Sequence, residues 1–152
     1  MALDKSILKT EILKITDASN PIHEGFPASI VDATTRWSNA IDKYASQVLP
    51  LSSSSGAAKT QLAIDLIPVG TVGTTAFITA FTNYAAILSI GMSPTFTGVP
   101  PPIPIVLEPI FTFGFAGASS DDIAELLSTT IDVWFKTGTA INVGSGAIIN
   151  WN

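Results

Sequence analysis

His23 is the only histidine, and the chain has no cysteine. A Ser-His-Asp triad would therefore have to use His23, which sits in a loop-forming run, DASNPIHEGF, without a G-x-S-x-G nucleophile turn. His23-Glu24 offers two metal-ligand types side by side. With no second histidine and no cysteine, a zinc site lacks its usual donors. Asp121-Asp122 is the one acidic pair with the composition of a general acid/base dyad. Adjacent residues on a helix point about 100° apart, so these two carboxyls do not share a proton. Two acids just after Ser119-Ser120 fit a helix start, where the helix dipole favours negative charge.

Glu108 stands alone in an apolar field, and a buried carboxylate needs a partner or takes up a proton. A water-facing turn of its loop is the simpler reading. VGTVGTT (69–75) lacks the lysine of a phosphate-binding loop and does not match G-x-G-x-x-G. GVPPPIP (98–104) has the prolines of an SH3-type ligand, but its flanks are Phe, Ile and Val rather than polar chain with a basic residue. These residues assemble no catalytic constellation. The chain reads as non-enzymatic, with no metal and no cofactor.

The elements that carry these residues follow from patterning. At 152 residues a single domain with a real core is expected. Charged residues make up only 12% of the chain, about half the usual share. Apart from Glu108 and Lys136, every charge lies at or before Asp65 or between Asp121 and Asp132. Residues 66–107 carry no Asp, Glu, Lys, Arg or His. A net charge of −5 and the absence of a Lys/Arg cluster argue against direct nucleic-acid binding.

The spacing predicts five helices. Leu3, Ile7, Leu8, Ile12 and Ile15 mark one over 4–15. A second spans 27–48, with Pro27 in its first turn and a stripe of Ile30, Val31, Thr34, Trp37, Ile41, Tyr44 and Val48. The third runs about 56–67, with Leu62, Ala63 and Leu66 inward. The fourth runs about 74–90, capped by Thr74 or Thr75. It is uncharged all round, which predicts a buried central helix. The fifth starts at Ser119 or Ser120, buries Ile123, Leu127, Ile131 and Trp134, and stops at Gly138. The N-terminal MALDKSILKTEILK, which includes most of the first helix, alternates charged and apolar residues and lacks the apolar core of a secretory signal.

Two segments are not helical. Residues 91–120 hold six of the ten prolines, and Pro100-Pro101-Pro102 excludes helix and central strand. Ile103, Ile105, Phe111 and Phe113 make it too apolar for a solvated loop. It reads as an arm or packed loop whose backbone Gly98, Gly114 and Gly117 let turn. Residues 139–152 alternate like a hairpin around Gly144-Ser145-Gly146, with Trp151 docked. Such a hairpin must lean on the helices or add to strands of another molecule. The expected fold is mainly α: one domain over 1–152, about five helices, a long Pro-rich apolar loop and a C-terminal β-hairpin. Residues 1–26 form its N-terminal helix and loop.

GMSPTFTGVPPP, the helix end WFKTGTA and the closing INW together resemble small structural proteins encoded in the tail or baseplate region of tailed bacteriophages. The resemblance covers about residues 91–151 and rests on pattern, not on a catalytic or binding motif. It implies a virion component of the tail, baseplate or neck, present in several copies, with other virion proteins as neighbours. The physical expectation agrees: so much uncharged chain is covered by a partner. The candidate subunit-interface residues are Val99, Pro100, Pro101, Pro102, Ile103, Ile105, Phe111, Phe113 and Trp151. The alternative is a membrane-associated protein that uses residues 74–92 as a span.

Overall fold

A computed structural model describes residues 3–107 and 117–152, apart from the side chains of residues 70 and 71. Among these residues, five helices of eleven residues or more carry the fold: α1 (Lys5–Thr16), α2 (Ile30–Ala45), α3 (Ser55–Asp65), α5 (Thr74–Ile90) and α6 (Ser120–Phe135). A one-turn helix, α4 (Val69–Val72), links α3 to α5. Three short strands, β1 (Phe96–Val99), β2 (Thr139–Asn142) and β3 (Ile148–Asn150), form an antiparallel sheet in the order β1-β2-β3. The fold is mainly α, as the patterning predicts.

The helices pack in a chain of neighbours. α1 touches both α6 and α2, α2 touches α3, and α3 touches α5. Helix starts follow local chemistry. Asp4 caps α1 by accepting from the Ser6 N–H. Ser119 and Asp122 form a reciprocal capping box on α6, which satisfies two N–H groups that the first turn leaves open.

Two starts differ from expectation. α2 begins at Ile30 with Ser29 as its cap, not near Pro27, because the Ser29 hydroxyl accepts the Asp32 N–H and outcompetes proline's preference for a first turn. Ile30 and Val31, at the head of the expected stripe, are consequently exposed. α5 is preceded by Gly73, which has no side chain to cap it, while Thr74 is already helical.

α5 is also not buried all round. It buries Ala76, Ala80, Phe81, Tyr84, Ala85 and Leu88 and turns Thr75, Thr79, Thr82 and Asn83 outward. Thr79 and Thr82 donate to carbonyls one turn back, and the Asn83 amide donates to Asp65 at 2.9 Å. Hydroxyls bonded to their own helix let an uncharged face meet water without a single ionised group. No described helix is long and apolar enough to cross a membrane.

The core gathers Tyr44, Tyr84, Phe135 and Trp151. Phe135 sits edge-on to both tyrosines at centroid distances of 5.8 and 6.0 Å and lies 6.1 Å from Trp151. The expected hairpin is β2 and β3, which pair with Ile141 opposite Ile148. Its third strand comes from the same chain: β1, from the Pro-rich stretch, pairs with β2. Gly98 lies inside β1 rather than at a turn. A Cβ there would stand 2.7 Å from the Cα of Ser89, so its role is to let α5 approach the sheet. Trp151 is 1% exposed, donates from its indole N–H to the Thr139 carbonyl at 2.9 Å, and covers Gly138. A Cβ on Gly138 would lie 2.5 Å from that ring.

Candidate interaction surface

Residues 100–107 run from the end of β1 along the C-terminal half of α6. From Pro104 on, side chains alternate between solvent and interior: Ile105 and Leu107 are buried, while Pro104 and Val106 are exposed, and Pro102 and Ile103 before them are exposed as well. Among the described residues, one hydrogen bond anchors the segment. The Trp134 indole N–H donates to the Ile103 carbonyl at 2.7 Å. Proline gives the segment few backbone donors of its own, so a side-chain donor from α6 supplies the anchor.

Beside this anchor lies an apolar groove of about 440 Å³, lined by Pro102, Ile103, Val106, Thr130, Val133 and Trp134 among others. Ile103 is 69% exposed, and Val106 and Val133 are exposed with it. Among the described residues, no ionised side chain lines it.

The expected interface residues divide. Pro102 and Ile103 stand on this surface, Pro100 and Pro101 are half-buried, and Val99 lies exposed in β1. Ile105 and Trp151, at 1% exposure each, belong to the chain's own core and offer nothing to a partner. Phe111, Phe113, Gly114 and the isolated Glu108 lie outside the described residues. Sequence reasoning missed Val133 and Trp134. Val133 had a signal: an apolar residue between Asp132 and Trp134, on the side of α6 that the inward stripe leaves free.

A second apolar cleft, of about 200 Å³, opens between the start of α2 and the α3–α5 connection, lined by Ile30, Trp37, Leu66, Val69 and Phe77 among others. It is smaller than a typical ligand pocket.

The polar interior is occupied by structure. The Tyr44 hydroxyl donates to Asp132 Oδ1 at 2.8 Å, and Lys136 pairs with the other oxygen of Asp132 at 2.9 Å. The Tyr84 hydroxyl donates to Asp42 at 3.1 Å. Burial, reinforced by the carboxylate partners, pushes both phenols far above their ordinary range. Burial also raises the Asp42 carboxyl, against the opposing effects of Tyr84 and Lys59. Both tyrosine rings are fully enclosed, so these pairs hold helices in register and face no cleft.

Elsewhere charges pair on the surface. Lys5 meets Glu125 at 2.6 Å, and Lys9 meets Asp121 and Glu125 at 3.0 and 3.2 Å. Burial drives the Glu11 carboxyl up, but Lys43 and Lys14 outweigh it and leave the group below its ordinary value. The acidic pair is thus split: Asp122 caps its helix and Asp121 binds Lys9. His23 packs edge-on to Phe26 at 4.9 Å, and its Nδ1 has no hydrogen-bond partner. Among the described residues no three His, Asp or Glu side chains are grouped to hold a metal. No protein-family model, no curated protein and no solved structure matches the chain.

Proposed function

We propose that the chain is a non-enzymatic structural subunit that assembles in multiple copies through apolar contacts. The particle of a tailed bacteriophage (tail, baseplate or neck) is the setting that its sequence resemblance points to. The observation that carries the assembly reading is the uncharged surface around Ile103, Val106 and Val133, held in place by the Trp134–Ile103 hydrogen bond. A freely moving apolar loop would collapse or aggregate, whereas a pinned one presents a fixed shape to a partner. Large exposed aliphatics around a groove whose described lining carries no ionised group suit contact with copies of the chain and with neighbouring virion proteins. The acidic balance of the chain suits a role without direct nucleic-acid contact.

Hydrogen exchange tests this reading. In the assembled state, the amides of Ile103, Ile105 and Val106 and of the last turns of α6 should exchange more slowly than in the dissociated chain. Ile103→Glu should abolish that difference while the helical circular dichroism is retained. Equal exchange in assembled and dissociated protein would remove the surface from the assembly contact.

A further inference from the structure

We draw no further inference here: the strongest candidate, the apolar patch of Val99, Ile141 and Ile148 on one face of the β1-β2-β3 sheet, carries nothing because nothing in the structure shows what covers it.

Discussion

Helix α6 serves two surfaces that follow opposite rules. Its first turns meet α1 through Lys5, Lys9, Asp121 and Glu125, a cluster in which each charge has a partner in the same chain. Its last turns meet residues 102–106, where Val133 and Ile103 face solvent and, among the described residues, no ionised side chain lines the groove. The first surface is complete within one chain. The second is anchored, among the described residues, by one indole hydrogen bond and leaves apolar area open. Side by side on one helix, they show that low charge is concentrated in this chain, not merely frequent. Ion pairs finish the first face within the chain, and the second is the face that the proposed assembly would cover.

The comparison breaks most visibly at the docked end of the chain. Trp151 fills the space beside Phe135 and Gly138, so Trp151→Ala should destabilise the fold by about 3–5 kcal/mol in urea unfolding. A loss under about 1 kcal/mol would mean that the ring is not part of the core. Trp134→Phe keeps the ring but removes the donor to Ile103. It should cost about 1–2 kcal/mol and speed amide exchange at Ile103, Ile105 and Val106 while leaving α1 unchanged. Unaltered exchange there would show that the segment is held by packing alone.

Asp42→Asn removes a half-buried charge and keeps an acceptor for the Tyr84 hydroxyl. The folded-state pKa of Asp42 is raised above its ordinary value of 3.8. The stability linked to its protonation is therefore fully present below that value and is lost as pH rises through the raised one. The Asn variant should melt higher than wild type at neutral pH, and the gap should narrow as pH falls toward and below 3.8. A gap that widens on acidification would contradict this. The smallest effect belongs to the finished surface: Lys5→Ala breaks a half-exposed pair and should leave Tm unchanged within error.

Much of this architecture was legible in the residues. Period-three and period-four apolar spacing placed the five long helices, because burying one stripe dictates that spacing. Ser119 followed by Asp122 marked the start of α6, and the alternating tail marked the hairpin. Three features were not legible. The outward face of α5 was hidden because Thr and Asn can satisfy a wet face without charge. β1 was hidden because its partner, β2, lies some forty residues away and proline follows it at once. The division of the interface residues depends on which side of an extended segment each occupies. In such a segment Ile103 and Ile105 share a periodicity that would put them on one face, yet Ile103 is exposed and Ile105 buried, so the chain rotates between them.

The central claim is that the uncharged surface, not the ion-paired one, is where copies meet. The most direct test is solution mass by light scattering in detergent-free buffer, for wild type, Ile103→Glu and Glu125→Lys. The account expects an oligomer for wild type, a lower mass for Ile103→Glu, and no change for Glu125→Lys. A wild-type mass of one chain at every concentration, or an oligomer lost with Glu125→Lys and kept with Ile103→Glu, would contradict it.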